Sequence, residues 1–370
     1  LYRSSAQEGE PLVGAVAGLL LLTFPLNITT FGSEMCAYVG LTLAGFRAYA
    51  RQRPERALAW MALATLIRPD GALGAALLVV YHLVTERQVA WKAIGVYVAL
   101  LLPWVAYATW AYGSPVPVTL GAKQAQAQMA ISKGYLLGGW ELLLGYLRRP
   151  VYWLYAALGG VGLWHLYRRG RHGWPLLFWT AGTFAAYAVL DVSRYFWYYV
   201  PLVPGVLLAV SAGVQWVRAQ IARWPAAKGL PNVVAIALWL VLVGASVPGL
   251  HHARTAPNPR LALYRTAGQW LRAQTPEQAS VGTLEVGILG YYAERTIIDF
   301  AGLLQPQVQA QMSQNATYQD TARWAIDRYR PDYIAVYDGW FSGSFAGLLA
   351  HCQAERQFPQ PQGPSFTVYK

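Results

Sequence analysis

A proline–glycine break with a charge on either side of the proline interrupts an apolar stretch that runs from Ala57 to Val84. The interrupting residues are Arg68-Pro69-Asp70-Gly71, with ALAWMALATLI before them and ALGAALLVVYHLV after. A charge at the centre of a bilayer helix costs at least ~2.5 kcal/mol on insertion scales, so it marks a site, a partner or a water-filled cavity. Broken backbone is tolerated at membrane depth only where protein or water satisfies it. The stretch therefore predicts two short helices whose tips carry Arg68 and Asp70 into a polar pocket. The plainer alternative is a short turn outside the bilayer, with Asp70 capping the second helix. Both can hold at once.

The rest of the composition agrees with a membrane chain. Of 370 residues, 55% are hydrophobic and only 12% charged, where a soluble globular protein carries roughly a quarter. The 16 Trp and 24 Tyr suit interfacial belts. A net charge of +12 is explained by basic cytoplasmic loops and does not call for nucleic acid. Two cysteines, Cys36 and Cys352, give neither a disulfide framework nor a Cys metal site. The chain starts at Leu1 with no cleavable signal pattern, and is read as N-terminally truncated.

Apolar runs of helical length are expected at 11–26, 35–46, 93–112, 151–166, 174–190, 197–217 and 233–250, with an interfacial helix at 135–146. The positive-inside rule orders them. If the broken stretch enters and leaves on one side, twelve basic residues share a face: Arg47, Arg51, Arg53 and Arg56; Arg87 and Lys92; Arg168, Arg169 and Arg171; Arg218, Arg223 and Lys228. Five, Lys123, Lys133, Arg148, Arg149 and Arg194, lie opposite. A single crossing would give nine against eight. The first arrangement puts Glu34, Arg68, Asp70, Lys123 and Arg194 outside, and the tail from His251 with them.

The tail changes character. Residues 260–274 and 318–329 read as helices, and 279–285, 296–299, 332–337 and 366–369 as strands. The expected fold class is a polytopic α-helical membrane domain, residues 1–250, followed by a small α/β extracytoplasmic domain, residues 251–370.

The candidate polar residues each have an ordinary reading beside the functional one. Glu34, at an outward-facing helix start, suits the helix dipole as a cap. Lys123 lies in YGSPVPVTLGAKQ, whose prolines and glycines predict a rigid non-helical loop; it is a point charge for a phosphate or a solvated lysine. Arg194, in DVSRYFWYYVPLVP, is a second phosphate cation or a local ion pair with Asp191. Sequons at Asn27 and Asn315 carry little weight. GxGxxG, P-loop, HExxH and GxSxG patterns are absent, so neither a nucleotide nor a zinc site is indicated.

The segments GSEM (32–35), LIRPDG (66–71), PVPVTLGAK (115–123), RYFWYYVPLVP (194–204) and VGTLEVGILGYYAERTIIDFAGLLQP (281–306) occur in this order. As an ordered set they resemble the bacterial GT-C membrane glycosyltransferases of the mannosyl- and arabinosyltransferase kind, over most of the chain. The resemblance implies transfer of a sugar from a polyprenyl-phosphate donor, at the outer face of the cell membrane, to a glycan, lipid or protein acceptor of the cell envelope. It implies catalytic carboxylates at Asp70 and Glu34 and a donor-phosphate site of Arg68, Lys123 and Arg194. It requires no cofactor, while leaving a divalent cation open. Two departures stand out. Val118 replaces an Asn that the family often has before the loop threonine. The family's catalytic acid in a first outer loop has no counterpart before Pro11.

Chemistry supports the same assignment. Transfer from a lipid phosphate needs cations on the leaving phosphate and an acid–base partner at the acceptor hydroxyl. For the acceptor, residues 285–299 are expected to form a strand–turn–strand lip, with Gly287 and Gly290 in the turn, bringing together Glu285, Tyr291, Tyr292, Glu294 and Asp299. The alternative is that Ile288, Leu289 and both tyrosines pack the tail's own core. Two other functions remain at this point: a transporter or flippase, in which broken helices also carry central charges, and a non-catalytic envelope assembly protein.

Overall fold

The computed structural model describes residues 11–117, 119–129, 132–169, 174–224, 226, 229–255, 258–339, 347, 349, 351–360 and 363–370. Residues 1–10, Val118, Arg171 and Lys228, which entered the expectations above, lie outside the described residues. The chain divides into two units. Residues 1–117, 136–190 and 195–255 form one; residues 118–135, 191–194 and 256–370 form the other. Two segments that lie between helices of the first unit in sequence thus group with the tail.

The first unit is helical. Its elements are α1 (Pro11–Thr23), α2 (Pro25–Ile28), α3 (Met35–Ala50), α4 (Pro54–Ile67), α5 (Gly71–Glu86), α6 (Trp91–Tyr112), α8 (Tyr135–Leu147), α9 (Val151–Arg169), α10 (Trp174–Leu190), a 3-10 helix (Phe196–Leu202), α11 (Val203–Ile221), α12 (Leu230–Gly244) and α13 (Val247–Thr255). Among the described residues, Trp91–Tyr112, Phe196–Ile221 and a run beginning at Leu230 are long and apolar enough to cross a membrane, and α5 and α10 are shorter apolar helices. α6 keeps large apolar side chains on its surface, Leu102 at 59% and Trp110 at 85% exposure. An apolar patch of that extent on a helix needs lipid or a partner against it.

With no hydrophobic driving force between helices in lipid, association depends on small residues that let backbones approach. α9 and α11 show this. A Cβ on Gly162 would lie 1.8 Å from the Ala209 carbonyl oxygen, and one on Gly213 2.0 Å from that of Leu158. Neither position admits a side chain.

The second unit contains α7 (Thr119–Gln128) and α14 (Pro259–Gln274), then β1 (Ser280–Thr283), α15 (Val286–Ala293), β2 (Thr296–Asp299), α16 (Pro306–Gln309), α17 (Tyr318–Tyr329), β3 (Tyr333–Tyr337), β4 (Ala354–Phe358) and β5 (Phe366–Tyr369). The strands form one sheet in the order β2-β1-β3-β5-β4. β1 pairs parallel with β2 and β3; β5 pairs antiparallel with β3 and β4. β3 is buried at all five positions, as expected of a strand covered on both faces. Tyr333, Ala335 and Tyr337 enter a core with Tyr264, Leu271 and Leu289. Ile334 and Val336 enter another with Phe300, Val308, Ala322 and Ala325. The period-two alternation of one strand thus feeds both sides of the sheet.

The strand–turn–strand expected at 285–299 is not what forms. β1 and β2 run parallel, and parallel neighbours cannot be joined by a tight turn; they need a crossover of a dozen or so residues. The segment 286–293 is that crossover, as helix α15. Gly290 does not make a turn but lets α15 lie close to the sheet, where a Cβ would sit 3.0 Å from Ile297 Cγ1.

Candidate functional site

In the first unit the chain stops being helical at Arg68 because proline follows. The residue before a proline is pushed out of the helical region, and Arg68 sits at φ −144°, ψ 131°. A turn closes at once, with Gly71 N–H donating to the Arg68 carbonyl at 2.9 Å, and α5 begins. The two helices cross tightly: a Cβ on Gly71 would meet the Thr65 amide nitrogen at 2.4 Å. Proline and glycine therefore set where the arginine and aspartate point.

Arg68 donates through Nε and Nη2 to Asp70 Oδ2, at 3.0 and 2.8 Å, and through Nη1 to Glu34 Oε1. Its side chain is 13% exposed, that of Asp70 18% and that of Glu34 49%. The capping expectation fails for both acids. Asp70 and Glu34 occupy the N-cap positions of α5 and α3, yet neither side chain makes a cap bond. The guanidinium, a stronger donor than a single amide, takes them instead. Tyr38, fully buried, lies under the arginine, with Cζ 6.0 Å from its ring centroid. The hydroxyl of Tyr187 faces Asp70, and Tyr198 packs on Tyr187 at 4.8 Å between centroids. The formal balance is one cation to two carboxylates, open to solvent mainly at Glu34.

The same unit holds a cavity of about 840 Å³. Its wall is almost wholly apolar and aromatic, including Trp140, Tyr146, Tyr152, Leu163, Phe184 and Val206. The interfacial helix expected at 135–146 supplies one side, as α8.

In the second unit Lys123 is not in a non-helical loop. The prolines end at Pro117, and the residues after Thr119, rich in Ala, Gln and Lys, are helix formers; Lys123 lies on α7. It is buried at 9% exposure, with Nζ donating to Gln126 Oε1 at 3.0 Å. Gln126 donates in turn to the Ala301 carbonyl at 2.9 Å. Asp299, at the end of β2, is fully buried and faces Lys123 electrostatically. Its carboxylate accepts the amides of Ala301 (2.7 Å), Leu303 and Leu304 (2.9 Å). Burial pulls the Lys123 ammonium down to about 8, with Asp299 opposing the shift. Burial raises the Asp299 carboxyl, while those amides and Lys123 hold it back.

Arg194 is exposed. Its amide donates to the Lys133 carbonyl at 3.1 Å, beside a bridge between Gly134 and Ser193. Ser193 donates its amide and hydroxyl to the Lys123 carbonyl, at 3.1 and 3.2 Å, so 191–194 is sewn to the Lys123 segment. Glu285 precedes α15 and interacts with Tyr264 and Arg260; burial raises its carboxyl. Tyr291 is 77% exposed, whereas Arg265 lies over the ring of Tyr292 at 5.2 Å. Leu289 is fully buried and Ile288 packs on the same core. The two readings of this segment thus divide by residue. Among the described residues no group of three or more His, Cys, Asp or Glu is placed to hold a metal.

Glu34, Arg68 and Asp70 were legible as candidates; of the tyrosines around them, Tyr198 was visible only as part of an interfacial belt, and Tyr38 and Tyr187 were missed. Gln126 and Asp299 were missed as partners of Lys123. A buried acid closing an apolar strand, TIID, was the signal for Asp299; a mid-helix glutamine carries none.

The comparisons bear on the fold. Residues 253–369 match a domain of unknown function, DUF8728. No match is found among curated proteins. Among solved structures, ArnT from Cupriavidus metallidurans in the apo state aligns over 97% of this chain and 78% of its own, at 14% identity and a TM-score of 0.55. The chain has the ArnT fold. ArnT bound to undecaprenyl phosphate aligns over 97% of this chain and 79% of its own, at 15% identity and a TM-score of 0.54. The likeness agrees with the expected fold class, a polytopic helical membrane portion followed by a small α/β portion.

Proposed function

We propose that this protein is a GT-C glycosyltransferase that moves a sugar from a polyprenyl-phosphate donor to an acceptor at the outer face of the cell membrane. The observation that carries the reading is the Glu34–Arg68–Asp70 cluster at a helix break in a chain of the ArnT fold, a fold solved with undecaprenyl phosphate bound. That fold favours a transferase over a transporter or an assembly protein. The apolar cavity of about 840 Å³ suits a polyprenyl chain. The charge split of the loops supports an outward tail.

In the reaction the acceptor hydroxyl oxygen attacks the anomeric carbon of the donor sugar. The bond from that carbon to the phosphate oxygen breaks, and its electron pair leaves with the polyprenyl phosphate. Lys123, Arg194 and Arg68 are assigned to the charge that develops on that phosphate. Asp70, bound twice by Arg68, orients the guanidinium. Glu34, the more open carboxylate, is assigned to accept the hydroxyl proton. Glu285 and Tyr291 are assigned to the acceptor, with Tyr292 beside them. Mannose and arabinose are the first sugars to try.

The test is donor binding by the purified chain in nanodiscs, read with undecaprenyl-phosphate mannose and arabinose against undecaprenol. Tighter binding of the phosphate-linked donors, lost in Arg68→Ala with insertion intact, supports the reading. Equal retention of undecaprenol opposes it.

A further inference from the structure

We propose that Asp299, in the α/β tail, is a positioning residue that holds the ammonium of Lys123 where the donor's phosphate is received. This rests on Lys123 being a phosphate ligand, as proposed above.

Both residues belong to the second unit, and their connection is built from covered parts. Gln126, 1% exposed, accepts from Lys123 Nζ and donates to the Ala301 carbonyl. The Ala301 amide, at the other end of that residue, donates to Asp299 Oδ1. The lysine's partner and the carboxylate therefore hold the same turn residue, Gln126 at the Ala301 carbonyl and Asp299 at the Ala301 amide. Asp299 is fully buried and Lys123 nearly so. A buried charge left without its opposite is strongly unfavourable, so each supports the other.

The turn by itself asks for less than this. Three amides could be satisfied by a carboxylate at the surface, where hydration would support the charge. Asp299 instead faces the lysine of another segment, 176 positions earlier in the chain. Its charge favours the ammonium of Lys123; Ser193, which donates to the Lys123 carbonyl, carries no charge. The consequence is that the tail, and not helix α7 alone, keeps this cation aimed. A lysine is a flexible point charge on a four-carbon stem and needs such a hold.

The experiment measures undecaprenyl phosphate binding by the whole chain in nanodiscs, from about pH 6 to about pH 10. The wild type should lose affinity as pH rises through about 8. Lys123→Met should bind roughly ten-fold more weakly near neutral pH and lose that step. Asp299→Asn should keep the step but move it about one unit lower, because the opposite charge that favours the ammonium is gone. A uniform loss with an unmoved midpoint would mean that Asp299 only holds the turn, and overturns the proposal. Wild-type behaviour of Lys123→Met would instead sink the phosphate role of Lys123. Gln126→Leu, which keeps the three amide bonds to Asp299 and removes the glutamine between the Ala301 carbonyl and Lys123, covers the case in which Asp299→Asn does not fold. It should bind several-fold more weakly, and unchanged affinity contradicts the proposal.

Discussion

Arg68 binds Asp70, two residues along the same chain, through two nitrogens on one carboxylate oxygen, at 3.0 and 2.8 Å. The pair is local in sequence but spans a helix break, so its geometry depends on Pro69 and Gly71 as much as on the charges. Lysine is a compact point charge without the planar fork that gives Asp70 two nitrogens while a third reaches Glu34. Arg68→Lys should therefore lose at least about ten-fold in transfer while inserting normally. Near-normal turnover would show that charge alone suffices.

The close crossing at Gly71 gives a stability prediction. A methyl group there meets the backbone at Thr65 and Ala64, which flexible side chains cannot relieve. Gly71→Ala should cost roughly 1–3 kcal/mol, the range for overpacking, seen as a lower Tm in detergent. An unchanged Tm would mean that the break opens easily and does not fix Arg68.

In the tail, Thr317 caps α17 in a reciprocal box with Asp320. The Thr317 amide and hydroxyl hold the Asp320 carboxyl below its usual value. A folded-state pKa below the unfolded one gives stability that is complete above the unfolded value, about 3.9. That stability is lost as pH falls through the lower folded value. Thr317→Ala should cost about 1 kcal/mol at neutral pH, and Asp320→Asn should differ from wild type at neutral pH but converge with it in acid. A gap between Asp320→Asn and wild type that persists in strong acid would contradict the box.

Leu289 and Tyr291, two residues apart on α15, should behave oppositely. Leu289→Ala removes a fully buried side chain and should cost about 2–5 kcal/mol. Tyr291→Ala removes an exposed ring and should leave Tm unchanged while weakening acceptor use. If Tyr291→Ala transfers normally, the acceptor does not meet this helix.

Much of the architecture was legible because its signals are strong and local. A helix at 318–329 and a strand at 366–369 appear where the pattern placed them. What the pattern missed was decided over distance. The segment 285–293 contains two glycines and two tyrosines, which suit a turn, until β2 is known to lie parallel to β1. β4, with four exposed residues and one buried, has little hydrophobic alternation to detect. Lys123 looked solvated because its partner Asp299 is far away in sequence. Glu34 and Asp70 looked like caps because both stand at helix starts; the guanidinium of Arg68, two residues from Asp70 and brought to Glu34 by the fold, overrides that rule.

The outward placement of the tail is tested by cysteine labelling. With Cys36 and Cys352 replaced, a cysteine at Gln314 should react with an impermeant maleimide in intact cells. Labelling only after permeabilisation would reverse the topology and remove the outer-face donor.

The most direct measurement is sugar transfer itself. The chain is placed in liposomes with undecaprenyl-phosphate sugar and cell-envelope lipid as acceptor, and release of undecaprenyl phosphate is followed beside sugar incorporation. The account predicts that the two rise together in the wild type and that both are lost in Arg68→Ala and strongly reduced in Glu34→Gln. Release and incorporation that are equal in the wild type and in Arg68→Ala would contradict it.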